Sequence, residues 1–184
     1  MLRTTSSALL LVFGLLTTKS GSQDSAAPRL YNVAEAYKIY NLLLPQEPSY
    51  AFGKDKVMIR QEAVPGGGTP CLTTSAARKF AEAVAAFKRL QQKMWTLQPR
   101  FQLDKPYKLI TPEEIKTLPD TPTQSAANSY VEMSIVGFNR EETRAVLFMG
   151  SPCGGLCGGW SYHLLEKVDG KWHEVPGVNC SLAS

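Results

Sequence analysis

Apolar positions along the chain recur first at helical spacing. Leu30, Val33, Ala34, Tyr37, Tyr40 and Leu44 fall on one stripe that stops at Pro45, the pattern of an amphipathic helix. Asn32, followed three residues later by Glu35, has the spacing of a capping box at its start. From Asp55 to Val64 the period drops to two. Val57, Ile59 and Ala63 take one side, Lys56, Arg60 and Glu62 the other, which predicts a half-buried strand. Pro65 and Gly66 to Gly68 end it in a loop that also carries Cys71. The longest helical stripe follows, from about Ser75 to Met94, with Ala76, Phe80, Val84, Phe87, Leu90 and Met94 apolar and Pro99 closing the region. Thr111-Pro112-Glu113-Glu114 predicts a short third helix with a Thr cap, Pro in the first turn and acids at the positive end of the dipole. Residues 117–129, rich in proline and small polar side chains, read as a surface loop.

The last third of the chain changes character. Tyr130–Phe138, Thr143–Gly150, Trp160–Val168 and Lys171–Val175 are rich in β-branched and aromatic residues, and each predicts a strand. Asp169-Gly170 between the last two is a hairpin signal, and Asn139 to Glu142 is a short connection between the first two. Connections this short imply antiparallel neighbours. On the third strand His163 and Leu165 share one face, while Trp160, Tyr162 and Leu164 share the other. The expected fold is α+β in a single domain, N-terminal helices packed on a C-terminal antiparallel β-meander. No internal repeat is present.

Composition places the chain outside the cytoplasm more than it says what the chain does. Met1-Leu2-Arg3, the apolar run Ala8 to Leu16 and the small residues Ser20-Gly21-Ser22 have the layout of a secretory signal peptide. The run of nine apolar residues is too short to span about 30 Å of hydrocarbon. Cleavage is expected near residue 22, with 23–29 as a polar leader and 30–184 as the domain. Removing residues 1–22 takes away Arg3 and Lys19 and no acid, so the net charge falls from +4 to +2. That balance gives no reason to expect a nucleic-acid partner.

The charge is unevenly placed. Arg78, Lys79, Lys88, Arg89 and Lys93 on the long helix face a single acid, Glu82. Such a face either stays solvated or docks on an anionic surface or an acidic envelope protein, with Arg78, Arg89 and Lys93 as contacts. Glu113 and Glu114 do not make an acid/base pair, because adjacent helical residues do not face each other.

The most unusual segment is Gly150-Ser-Pro-Cys153-Gly-Gly-Leu-Cys157-Gly-Gly159. In an exported chain the four cysteines, Cys71, Cys153, Cys157 and Cys180, read as two disulfides with three possible pairings. Cys153 with Cys157 would leave Cys71 to Cys180, closing roughly 100 residues for about 4–5 kcal/mol in the chain-entropy model. The crossed pairings are equally open. A zinc site from Cys153, Cys157, His163 and His173 is a poor spacing match. A thiol enzyme using Cys157 with His163 would need the base within hydrogen-bond reach, and Cys-x3-Cys before a strand is not the redox spacing. No Gly-Lys-Ser/Thr follows the glycines, and no cofactor is expected. Trp160, Tyr162 and Trp172 on the meander read by default as core packing, and would form an aromatic binding surface if the outer sheet face were exposed. Asn179-Cys180-Ser181 matches the glycosylation pattern.

The stretch from Ser134 to Trp172 carries Ser-Ile-Val-Gly-Phe-Asn139, Thr143-Arg-Ala-Val-Leu-Phe148, Cys153-Gly-Gly-Leu-Cys157-Gly and Tyr162-His-Leu-Leu-Glu-Lys-Val-Asp-Gly-Lys-Trp172. It resembles a broad group of small exported bacterial proteins of unknown function. The resemblance implies export and the C-terminal meander. It implies no activity, and in that group glycine or another small residue can stand at the cysteine positions, which speaks against thiol catalysis. The sequence therefore predicts an exported or periplasmic protein, non-enzymatic, binding or structural at the cell envelope and held by disulfides. The alternatives are a thiol oxidoreductase or hydrolase using Cys157 and His163, and an inhibitor-type domain presenting the glycine loop.

Overall fold

The computed structural model describes residues 27–52, 55–67, 72, 76–119, 129–152, 158–176 and 180–183. The expected signal segment, Cys71, Cys153, Cys157 and Asn179 lie outside these residues.

The expected α+β architecture is present. The core is an antiparallel sheet whose main path runs β10 (Cys180–Ala183), β8 (Gly158–Val168), β7 (Arg144–Pro152), β5 (Glu132–Met133). Strand β6 (Gly137–Phe138) also pairs with β7, and β9 (Lys171–Glu174) with β8. Register runs from Arg144 opposite Glu166 to Pro152 opposite Gly158. The Asp169-Gly170 turn has φ of 49° and 77°, the positive pair that a two-residue hairpin requires. Glu142, in the other short connection, also has positive φ, 52°.

Helices cover both faces of this sheet. One face presents Ala145, Leu147, Met149 and Leu165, all buried, to α1 (Ala34–Leu43), which a 3₁₀ turn joins to the short α2 (Pro48–Phe52). The other presents Val146, Phe148, Tyr162 and Leu164 to α3 (Ala81–Leu90), where the Phe87 ring meets Tyr162 edge-on at 5.8 Å. Beyond β5, Val131 bridges Ile59 of β2 (Val57–Arg60), which pairs in parallel with β4 (Tyr107–Ile110). A second parallel pair joins β1 (Arg29–Tyr31) to β3 (Trp95–Leu97). Helix α4 (Pro112–Lys116) has the predicted Thr cap, which the structure completes as a capping box: Thr111 Oγ1 accepts from Glu114 N–H and the Glu114 carboxylate accepts from Thr111 N–H.

Four expectations change. Helix α1 starts at Ala34 after an uncapped Val33; Glu35 instead turns to the sheet, accepting from Lys167 Nζ at 2.7 Å and Trp172 Nε1 at 3.0 Å. The long helix opens with a 3₁₀ turn at Ala76–Phe80 and ends at Leu90, leaving Met94 58% exposed. Tyr130–Phe138 is two strand pieces, not one. The first strand takes Arg29, the last residue of the stretch read as leader, and the short strands β1, β3, β4 and β10 carry no alternation long enough to announce them.

Buried hydroxyls stitch the break between β5 and β6. Tyr40 Oη donates to Ser134 O at 2.8 Å, Ser134 Oγ accepts from Phe148 N–H at 2.8 Å, and Tyr31 Oη accepts from Val136 N–H at 3.1 Å. Burial pushes the Tyr31 and Tyr40 hydroxyls well above their ordinary titration range, so they stay protonated as donors.

Hydrogen bonds from Lys167 and then Lys38 hold the Glu35 carboxyl at about 2, against the ordinary 4.5. A depressed carboxylate stabilises the fold above its unfolded value, and that contribution is lost as pH falls from about 4.5 towards 2. Solvent screening limits it to about 1 kcal/mol. Thermal unfolding at pH 6 and pH 2.5 checks this: wild type is expected to lose more stability than Glu35→Gln, and equal losses contradict the pairing.

Candidate functional site

Strand alternation places Ser161 and His163 on the α1 face of β8, and the tight Asp169-Gly170 hairpin brings Glu174 of β9 opposite Leu165, diagonal to His163. The three side chains form one hydrogen-bonded series. Ser161 Oγ lies 2.9 Å from His163 Nε2, and His163 Nδ1 lies 2.7 Å from Glu174 Oε1. A carboxylate only accepts, so Nδ1 carries the proton; in the neutral ring Nε2 then accepts from the Ser161 hydroxyl. The His163 side chain is 14% exposed and that of Glu174 26%. The hydrogen bond from His163 holds the Glu174 carboxyl below the ordinary carboxylate range.

A second polar pair completes the cluster. Glu47 follows the 3₁₀ turn Leu44–Gln46 after α1, and its buried carboxylate accepts from Ser151 Oγ of β7 at 2.8 Å. Burial pushes its carboxyl up, while the hydrogen bond from Ser151 acts in the opposite sense. Two serines, two glutamates and one histidine thus meet where the helix layer crosses the ends of β7 and β8. His173 is excluded by geometry: its register partner is Glu166, on the α3 face, so the zinc quartet drawn from His163 and His173 is split across the sheet.

The sequence singled out His163 but not its partners. Ser161 is legible as its neighbour two residues back on the same face, and Glu174 follows from counting outward from the hairpin turn. Glu47 and Ser151 carry no local signal, because only the tertiary fold brings 47 beside 151.

The meander aromatics pack into the core, and the alternative aromatic surface does not form. Tyr162 is buried between Phe87 and Phe148, its hydroxyl donating to Gly67 O at 2.6 Å, and Trp172 is buried beside Phe138 and Glu35. Trp160 is half-buried, its Nε1 donating to Glu132 Oε2 at 3.3 Å while Arg60 holds the other carboxylate oxygen at 2.7 Å. The basic face is interrupted as well. Arg78 lies in the 3₁₀ turn, Lys79 is paired with Glu166 at 3.1 Å, and Lys93 lies past the helix end.

Arg89 contributes to a different feature, a groove of about 390 Å³ between the start of α1 and the outer side of α3. Leu30, Val33, Leu90, Trp95 and Phe138 line it, with Arg89 and Glu142 adding opposite charges. Leu30 is 66% exposed and Val33 37%. Strand β1, whose Leu30 and Tyr31 line this groove, pairs only with β3 among the described strands. No metal-ligating group of three or more His, Cys, Asp or Glu side chains occurs among the described residues. No described helix is long and apolar enough to cross a membrane. No family model, curated protein or solved structure matches the chain.

Proposed function

We propose that this chain is exported, is crosslinked by disulfides among Cys71, Cys153, Cys157 and Cys180, and works at the cell envelope by binding an extended apolar segment of another protein. The observation that carries this reading is the groove: an apolar lining with Leu30 two-thirds exposed on β1, a strand with one strand partner among the described residues. Its volume falls in the range of ligand sites. An extended segment added to β1 would pair with its backbone donors and acceptors, and alternate side chains of that segment would enter the groove. Arg89 and Glu142 give the groove a charge polarity that sets the direction of a bound segment. An anionic surface is the weaker fit, since the helix cations that would meet it are dispersed or already paired. Export rests on the signal-like first 22 residues and on the resemblance of residues 134–172 to exported bacterial proteins.

Panning the mature chain, residues 23–184, against a random peptide library tests the binding reading. Enriched peptides are expected to be apolar and extended, and Leu30→Asp is expected to weaken the tightest about tenfold or more, the value of losing one buried leucine contact. Equal affinity for Leu30→Asp and wild type overturns it. Alkylation with iodoacetamide before and after reduction, read by mass spectrometry, checks the crosslinks. Four blocked cysteines are expected, and a freely reacting thiol contradicts them.

A further inference from the structure

We propose that Ser161, His163 and Glu174 form an acyl-transfer site that hydrolyses neutral carboxylic esters. This goes beyond the binding reading and stands apart from it. The groove abuts Phe138, which pairs with Ala145 on β7, whereas the nucleophile Ser161 pairs with Met149, four residues or roughly 13 Å further along that strand, and is not among the groove's lining residues. Either proposal can fail without the other.

The argument is one of order and chemistry. A serine hydroxyl is a weak nucleophile unless a base takes its proton as it attacks, and the base acts best when a third group fixes its tautomer. Ser161 Oγ at 2.9 Å from Nε2, and Glu174 at 2.7 Å from Nδ1, supply those roles in that sequence. Partial enclosure of the imidazole, 14% exposed, strengthens both interactions relative to open water while leaving an approach. Ser161 and His163 are the catalytic residues; Glu174 is a positioning residue.

In the first step Ser161 Oγ bonds to the ester carbonyl carbon and its proton passes to Nε2. The resulting imidazolium faces the Glu174 carboxylate. Collapse of the tetrahedral adduct breaks the bond to the leaving alkoxide, which takes the proton back from Nε2 and departs as alcohol. Water then attacks the acyl-serine, giving its proton to Nε2, and collapse returns that proton to Ser161 Oγ and releases the acid. No oxidant or cofactor enters the balance. The titratable groups in the cluster are Glu47, Glu174 and the neutral His163 imidazole, and two carboxyl groups beside one imidazole disfavour an anionic acyl group, which selects neutral esters.

The test is labelling with an alkyl fluorophosphonate, followed by peptide mapping, alongside hydrolysis of 4-nitrophenyl butyrate. Phosphonylation of Ser161 is expected, slowed about 100-fold or more in His163→Gln, the usual scale of a lost general base. Hydrolysis is expected to vanish in Ser161→Ala, to persist after iodoacetamide, and in Glu174→Gln to show a kcat lowered at least tenfold with KM unchanged. No adduct at Ser161, or labelling indifferent to His163→Gln, overturns the proposal. So does hydrolysis blocked by iodoacetamide, which assigns the nucleophile to a thiol. Labelling of the wild-type chain decides the matter even where a variant fails to fold.

Discussion

Gly137→Ala is expected to destabilise the protein by about 3 kcal/mol, at the upper end of overpacking costs. A Cβ at this position would lie 2.4 Å from Ala83 O and 2.5 Å from both Phe87 N and Phe87 Cβ. Two of those three atoms are helix backbone, so no rotamer change relieves the contact; α3 or β6 must move. The glycine is required here by close approach and not by its backbone angle. Gly66 makes a contrast, since its Cβ would meet the Tyr162 hydroxyl and the tip of the Phe87 ring, side-chain ends that can shift. Urea unfolding checks the prediction, and combining Gly137→Ala with Phe87→Ala sharpens it. The double variant is expected to show no rescue, because the backbone contacts remain. A Gly137→Ala midpoint within the error of wild type would contradict the helix placement.

Tyr40→Ala is expected to cost about 3–5 kcal/mol, the range for deleting a fully buried aromatic side chain. The Tyr40 ring is fully buried and stands edge-on to Tyr37 at 5.5 Å. Tyr40→Phe separates ring from hydroxyl. It keeps the packing and removes the donor to Ser134 O, and is expected to cost about 1–3 kcal/mol for the unsatisfied carbonyl. Set against a total stability of about 5–15 kcal/mol, the alanine variant brings the fold near its limit. Chemical denaturation of both variants measures the two parts. Equal losses would mean that the hydroxyl and not the ring carries the site.

These two residues also show what the sequence makes legible. Tyr40 stands in the helical stripe read from periodicity, and its burial follows from that stripe alone. Its bond to Ser134, 94 residues away, does not, because the β5–β6 break it satisfies looks like continuous strand. Glu35 shows the opposite failure: capping-box spacing placed it on its own helix, but the sheet offered Lys167 and Trp172, and two charge-assisted partners outweigh one local cap. The meander and the Asp169-Gly170 turn were legible because short-range pairing has short-range signals. The parallel pairs β1–β3 and β2–β4 were not: β2 shows its alternation, but its partner β4, like β1 and β3, is too short to carry a period.

The same division applies to the sites. His163, Ser161 and Glu174 lie within one hairpin and can be reached by counting along strands, whereas Glu47 joins them through tertiary contact alone. The groove is assembled from β1, from α3 with β3, and from β6 with its connection to β7, three stretches far apart in the chain. Arg89 was singled out for a basic helix face, and its role in the groove is visible only once Leu30 and Trp95 are placed beside it.

The measurement that tests the central claim most directly is photo-crosslinking in the living envelope. A photoreactive side chain is placed at position 30 on the groove, and a control at position 171 on the exposed β9 end. The account predicts a defined adduct from position 30 alone, lost in Arg89→Glu, with the crosslinked peptide of the partner apolar and extended. Adducts of equal yield from both positions, or none from position 30, would contradict binding through this groove.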